Sequence, residues 1–512
     1  MEAGMVLGTE TEYTVSTVPD SGSSHEDCVS RFLYHARHRL KNLPQDGDGS
    51  GIFVANGGRL YPDLGHIEYA SPETITPRDL VLYQAAGKQI MQDLSRTVEE
   101  SYSGRPVEVV VTHASVDYFN GTTQGSHENY SFGKPALEEP EELLPFLASR
   151  VIFCGAGGFN NLITGLEFVV SPRALHIETP VSTSTTRHRP LYHFRHESLT
   201  GVPHMSRIHL ICGEHLCCAT SSLLRFGTTG LVIKMIDAGL KPGAPVRLPK
   251  PVDALHVFAK DTTCTAAVPV EYRAPMTAIA IQRHYLELAE ASFHHSWMPG
   301  WAPEICALWR RTLNQLETDP DSTAAFLDWR MKQTLYSRFL NRHNLDWDMI
   351  GWISKVITAV GAAMPAQIPV RERVHQMAAW WKEEGRLHSH PGLANYRVSP
   401  GEIEVFLNVR LQLFELDTRF SQVGARGVFA QLKAADLVRE QYDAPTPTQI
   451  EIATECPPRG CRSEIRGQVI GEKWPSRQRY RCDWTRVVCV DGPLFLKLPD
   501  PFQTQASWTA EE

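Results

Sequence analysis

The sequence predicts an α+β fold, and three observations point that way. Short β-rich runs dominate the chain up to about residue 275. Beyond that point, long segments carry the 3.6-residue helical period. The two kinds of segment follow one another instead of alternating, which excludes a doubly wound parallel sheet.

The elements follow in order. GTETEYTV at the start reads as a strand, and alternation puts Glu10 and Glu12 on one face of it. HRLKNLPQDGDGSGIFVANGGRLY reads as a helix end, a Gly/Asp-rich loop from Gln45 to Gly51, and a hairpin leading to Arg59. In the next run, RLYPDLGHIEY, Arg59, Tyr61 and Asp63 share a second strand face. Thr76-Pro77-Arg78-Asp79 has the N-cap, N1 proline and N3 acid of a helix start, and Ala86, Ile90, Leu94 and Val98 continue its apolar stripe. VEVVVTHASV (107–116), ENYSF (128–132), VIFCG (151–155), LEFVV (166–170) and RIHLIC (207–212) are predicted strands of a largely antiparallel sheet. Helices are predicted over TAIAIQRHYLELAEAS, TAAFLDWRMKQTLYSRFLNRH and GEIEVFLNVRLQLFELDTRF. The character changes once more near residue 426, with a helix around 427–440, a polar DAPTPTQ linker, and strand-like segments around Arg466 and Val487–Val490. The predicted organisation is therefore a domain over 1–425 and a small C-terminal domain over 426–512.

A chain of 512 residues, 42% of them hydrophobic, can bury a large core. Its net charge of −8 provides no broad basic surface, so nucleic acid is not an expected partner. No apolar run reaches membrane-spanning length, and the first residues carry no signal-peptide pattern, so the expected location is the cytoplasm. The eleven cysteines are scattered, which suits free thiols in a reducing compartment. Cys456, Cys461, Cys482 and Cys489 lack the tight CxxC spacing of zinc sites.

Four polar constellations carry the chemistry. They are Glu10 with Glu12; Arg59, Tyr61, Asp63, His66 and Glu68; Ser126 to Tyr130; and Thr186, Arg187, Arg189, Arg195, Glu197, Arg207 and His209. In the third, alternation sends Glu128 and Tyr130 to one face and His127 and Asn129 to the other. Clustered carboxylates suit a hard divalent cation that shares its ligands with phosphates, and arginine forks suit phosphate or carboxylate.

The strings GTETEY, RLYPDLGHIEYASPE, GSHENY, FCGAG, TTRHRPLYHFRHE, RIHLICGE, LLRFGTT, SEIRGQVI and CDWTRV, in this order, resemble the Pup ligase and depupylase family. That family is related to glutamine synthetase and the carboxylate-amine ligases. The resemblance implies a large curved antiparallel sheet backed by helices, with ATP at one end and a small C-terminal domain. It implies ATP and Mg²⁺ as cofactors and a small Pup-like modifier as partner. It makes Asp63 the catalytic aspartate, Glu10 and Glu68 metal ligands with Tyr61 beside them, and Arg59, Ser71 and Trp484 nucleotide contacts. His127, Glu128 and His209 fall in strings lining the same site, Glu128 and His209 joining the expected metal set, and Arg195 and Arg207 of the fourth constellation join the expected nucleotide contacts. The GTE opening, the SPE after Tyr69 and the TPRD helix start resemble the depupylase branch, although the Glu10–Asp63 interval is too short for that branch's inserted loop. The expected activity is cleavage of an amide or isopeptide bond of the modifier. The alternatives are ligation of a C-terminal Glu to lysine, a phosphotransferase or ATP phosphohydrolase without a modifier, and a non-catalytic nucleotide-binding adaptor.

Overall fold

A computed structural model describes residues 4–510 apart from 20–21, 23, 48, 103–105, 119–120, 135–139, 195–197 and 363–399. Its centre is an eight-stranded sheet in which every pairing is antiparallel. Strands β1 (Leu7–Val18), β2 (Asn42–Pro44), β3 (Ile52–Val54), β4 (Arg59–Asp63), β5 (His66–Ala70), β6 (Glu108–Thr112) and β7 (Ser126–Phe132) are joined at one edge by the strand Ser206–Leu210. From that edge the order is Ser206–Leu210, β7, β1, β5, β4, β3, β2, while β6 pairs with the second half of β1.

The long β1 organises this sheet. Its residues alternate between buried and half-buried: Leu7, Thr9, Thr11, Tyr13 and Val15 point inward, and Gly8, Glu10 and Glu12 point to the opposite face. On the inward face, Tyr13, Val15, Leu60, Ile67 and Tyr69 pack on α1 (His25–Arg39) and α2 (Pro77–Glu100). The N-cap of α2 is Thr76, whose hydroxyl accepts from the Asp79 N–H, with Pro77 at N1, as the sequence predicts. Leu7, Tyr130, Phe132, Ile208 and Leu210 join the largest core, built around the helix Ala219–Asp237.

Two sequence expectations fail in this region. VIFCG is a buried helical turn, Val151–Cys154, and not a strand. The helix Ala219–Asp237 lies in a stretch read as poor in long helices. Sixteen of its residues are buried, so it shows no polar face and hence no period by which to recognise it. A short apolar run is equally compatible with a buried strand or a buried helix, which accounts for the error at 151–154.

Helices Ala278–Ala291, Asp328–Arg342 and Pro400–Phe420 form where the periodicity places them. Near the C-terminus, Arg466 belongs to the helix Arg462–Lys473 and not to a strand. A four-stranded antiparallel sheet follows, from Tyr480–Cys482 to Trp508–Ala510. This part of the chain shares one apolar cluster with the central sheet: Leu43, Phe53 and Ala55 pack with Ile465, Ile470, Cys482, Val487 and Leu496. All eleven cysteines are free.

A largely buried ion cluster reinforces that junction. Glu73 accepts from Arg462 Nε at 2.8 Å and also pairs with Arg466. Burial works against its carboxylate, but the two guanidinium groups override it and bring the group from its ordinary 4.5 down to about 2. A carboxyl depressed on folding stabilises the fold above its unfolded pKa and loses that contribution as pH falls through the folded value. Glu73 therefore contributes about 3 kcal/mol near neutrality, lost progressively between about pH 5 and pH 2. Urea unfolding across this range, compared with Glu73→Gln, should show the acid-dependent loss in the natural protein and a flatter profile in the variant.

Candidate active site

The half-buried face of the sheet gathers its polar residues by register alone. Glu12 lies opposite Glu68, and Glu68 lies opposite Tyr61, so β1, β5 and β4 contribute one row. The next row sets Glu10 between Ala70 and His127. A third brings His209 beside Asn129. Asp63 is directly opposite His66, across a two-residue turn in which Leu64 takes φ +44° and Gly65 takes φ +89°; a tight hairpin of this type needs both values positive.

These residues line one cleft of about 1110 Å³, together with Arg59, Arg173, Arg189, Arg207 and Trp484. Two groups of potential ligands stand in it, each with its donor atoms within 4.8 Å of one another: Glu10, His127 and His209, and Glu12, Asp63 and Glu68. His127 Nδ1 is 2.9 Å and His209 Nε2 is 3.2 Å from the same Glu10 oxygen. Asn129 Nδ2 donates to the other Glu10 oxygen at 3.2 Å, and Arg207 is held by Asn129 Oδ1 at 2.8 Å. Arg59 lies over the Tyr61 ring, 3.8 Å from its centroid.

The two histidines differ in charge. Burial would depress His127, but its bond to Glu10 and the charges of Glu12, Glu10 and Glu68 lift it to about 9. Burial prevails at His209 and pushes it down to about 4. Burial also disfavours the Glu10 carboxylate, yet His209 and His127 together hold it well below the usual range. With His209 neutral at pH 7, the His127 cation keeps Glu10 ionised. Glu68 is raised well above the ordinary value by burial and by the charge of Glu10, and Asp63 is raised by burial and by Glu12. The face is therefore short of positive charge. Glu68 Oε1 is also a buried oxygen that accepts no hydrogen bond, with His127 Nδ1 4.0 Å away, so the donor set fits a hard divalent cation.

Beside the cleft lies a smaller, mainly apolar pocket of about 80 Å³, lined by Val6, Gly8, Ser71, Arg207, Trp484 and others. The Ser71 hydroxyl is engaged with the Thr9 N–H and the Pro72 carbonyl, so the residue shapes this wall with its donor already used. Trp484 arrives from the C-terminal part of the chain and packs edge-on against Phe53, ring centroids 5.1 Å apart.

The structure thus brings together Glu10, Tyr61, Asp63, Glu68, His209, Arg59, Arg207 and Trp484. Glu128 is the exception among the expected metal ligands. It faces the opposite side of β7, fully buried, where it pairs with Arg150 at 2.7 Å and accepts from the Tyr130 hydroxyl at 2.7 Å. Alternation along Ser126–Phe132 already separates it from His127. Arg195 lies outside the described residues. Glu12 and His127 complete the two ligand groups; the sequence places Glu12 on the face of Glu10 among the clustered acids and His127 on the face of Asn129, but neither is in the expected metal set. Arg173 was missed, having no motif of its own.

Residues 5–356 match the sequence family described as Pup-ligase protein. The chain is 28% identical over 516 residues to the Pup–protein ligase of Paenarthrobacter aurescens (strain TC1), covering 98% of this chain and 96% of that protein. It is 32% identical over 358 residues to the Pup–protein ligase of Arthrobacter sp. (strain FB24), covering 67% of this chain and 76% of that protein. Among solved structures it is similar in fold to the ligase PafA in complex with the prokaryotic ubiquitin-like protein Pup, with TM-score 0.75 and 23% identity, covering 98% of this chain and 90% of that one. It is likewise similar to PafA in complex with ADP, with TM-score 0.68 and 24% identity, covering 90% and 88%. The relatives carry the name of ligases, which corrects the expectation of an amide-cleaving, depupylase-like activity. One of the strings that suggested that branch, TPRD, is spent on capping α2 and reports on a helix start, not on the direction of a reaction. Among the described residues, no helix is long and apolar enough to cross a membrane.

Proposed function

Because the chain belongs to the Pup-ligase family, we propose that it is an ATP- and Mg²⁺-dependent ligase joining the C-terminal Glu of a small Pup-like modifier to a protein lysine. The observation that supports this reading most is the convergence of Glu10, Glu12, Asp63, Glu68, His127 and His209 on one cleft beside a pocket suited to a nucleotide base. In this reading the base lies against Trp484 and Ser71, and Arg207 and Arg59 brace the phosphates. Glu10, Glu12 and Glu68, with the neutral His209, would hold the metal, and His127 would join them only on giving up its proton. When bound, Mg²⁺ neutralises charge on the transferring phosphoryl group.

The reaction has two steps. A carboxylate oxygen of the donor attacks the γ-phosphorus, the bond to the ADP oxygen breaks, and an acyl phosphate remains. The lysine nitrogen then attacks the acyl carbon, the bond to phosphate breaks, and the amine proton passes to Asp63. Burial and the charge of Glu12 make Asp63 more basic than an ordinary aspartate, which suits a proton acceptor. We further propose residues 1–425 as the catalytic domain and 426–512 as a smaller domain that supplies Trp484.

The test is purified protein with Mg·ATP, a Pup-like peptide ending in Glu and a lysine-bearing acceptor. ADP formation that requires the peptide, with covalent attachment seen by mass spectrometry and both abolished by EDTA, is the expected result. Phosphate release at the same rate without any peptide, or no turnover at all, overturns the reading.

A further inference from the structure

Beyond the acidic rows, the cleft ends in two arginines whose guanidinium groups form no ion pair with a carboxylate among the described residues, although Glu12 and Glu214 lie near enough to attract Arg173. Arg173 is 5% exposed; its Nη1 donates to Thr123 Oγ1 at 2.9 Å and its Nη2 to the Ile211 carbonyl at 2.9 Å. Its buried Nε has no partner. Arg189 donates to the same Thr123 oxygen from the other side. One neutral hydroxyl thus receives two guanidinium groups, and it cannot neutralise either. Burial and the neighbouring Arg189 pull Arg173 below the usual arginine range, against the attraction of Glu12. Burying the Arg173 cation without an ion-pair partner is costly, and its fork beside that of the half-buried Arg189, both lining the cleft, offers the geometry that a planar carboxylate takes.

Position along β1 separates this pair from the nucleotide. Gly8 lines the small apolar pocket with Trp484, Glu10 and Glu12 follow, and Glu12 accepts from the Gly125 N–H at 2.6 Å. A Cβ at position 125 would lie 2.8 Å from Arg173 Nη2, so this turn presses directly on the arginine. The arginines accordingly stand on the far side of the acids from the pocket assigned to the base. Thr122, Thr183, Thr185 and Thr186 surround them in the cleft wall.

A terminal glutamate brings two carboxylates. Only the one that reacts loses its charge; the other stays anionic throughout and needs a fixed partner. Resting on the ligase reading above, we propose that Arg173 and Arg189 hold the main-chain carboxylate of the donor's last residue, leaving its side-chain carboxyl at Asp63. This subsite would make the enzyme specific for a free C-terminus.

The experiment compares two peptides ending in Glu, one with a free main-chain carboxylate and one with a main-chain carboxamide, both keeping the side-chain carboxyl. The natural protein should favour the free acid by about 100-fold in kcat/KM. Arg189→Gln should bring that ratio below about fivefold. Arg189→Lys and Thr123→Val, the latter removing the shared acceptor, give intermediate ratios and stand in if the first variant does not fold. The proposal is overturned if the natural protein treats the two peptides alike, or if Arg189→Gln keeps the full ratio. It is overturned too if the variant raises KM for ATP as much as for the peptide, since the pair would then serve a phosphate. Calorimetric binding of the same peptides reads the subsite separately: absence of conjugation alone counts against the ligase reading, whereas equal binding of acid and amide counts against the arginines.

Discussion

Replacing Asp63 by Asn should lower kcat for conjugation by about 10³-fold while leaving ATP affinity within a fewfold of the natural protein. The substitution is nearly isosteric, so it preserves the hairpin opposite His66 and the cleft wall. What it removes is the lone pair that, in the proposed reaction, takes the amine proton, and an amide is neither a base at pH 7 nor a good nucleophile. Asp63 is half-buried and raised by burial and by Glu12, so losing its charge also relieves repulsion among the acids. The variant should therefore be slightly more stable and far less active. Single-turnover kinetics with nucleotide binding measured separately checks both halves; near-normal turnover would remove Asp63 from the chemistry.

The second large effect concerns stability. Glu128→Ala should destabilise the protein by about 3–5 kcal/mol, because it strands Arg150 as an unpaired buried charge. Arg150 donates from both Nη atoms to Glu128, at 2.9 and 2.7 Å, and reaches Thr229 Oγ1 at 2.6 Å, so the pair is fully hydrogen-bonded within the core. Replacing both partners together, Glu128→Leu with Arg150→Met, should recover most of the loss, because a buried ion pair is nearly matched by apolar residues of similar volume. Urea midpoints of the single and double variants make the comparison. If Glu128→Ala unfolded like the natural protein but lost its metal dependence, the residue would belong to the cleft after all.

These two residues show what could be read from the chain. Alternation in GTETEY and RLYPDLGHIEY identifies the acids that share a face, because a strand's period of two is rigid. The α2 start was legible for the same local reason, since a cap is contained in four residues. The helix Ala219–Asp237 was not, because a segment buried on all sides leaves no polar side to mark its period. Glu128 was grouped with the metal ligands by its place in a matching string, although its parity along β7 set it against His127. Arg173 lies far from the acids in sequence and carries no motif, so only tertiary packing reveals it as their neighbour, whereas Trp484, more distant still, was reached through its matching string.

The position of Trp484 has a consequence for synthesis. The acids of β1, β4 and β5 leave the ribosome more than 400 residues before Trp484, yet that indole, with Asp483 and Thr485, forms part of the wall facing them. Until then Phe53 lacks its ring partner, and Leu43 and Ala55 lack the apolar cover that closes over them. A nascent chain consequently carries every acid of the cleft but not the wall that Trp484 completes. The cleft wall is therefore complete only once Trp484 has been made, a timing imposed by topology.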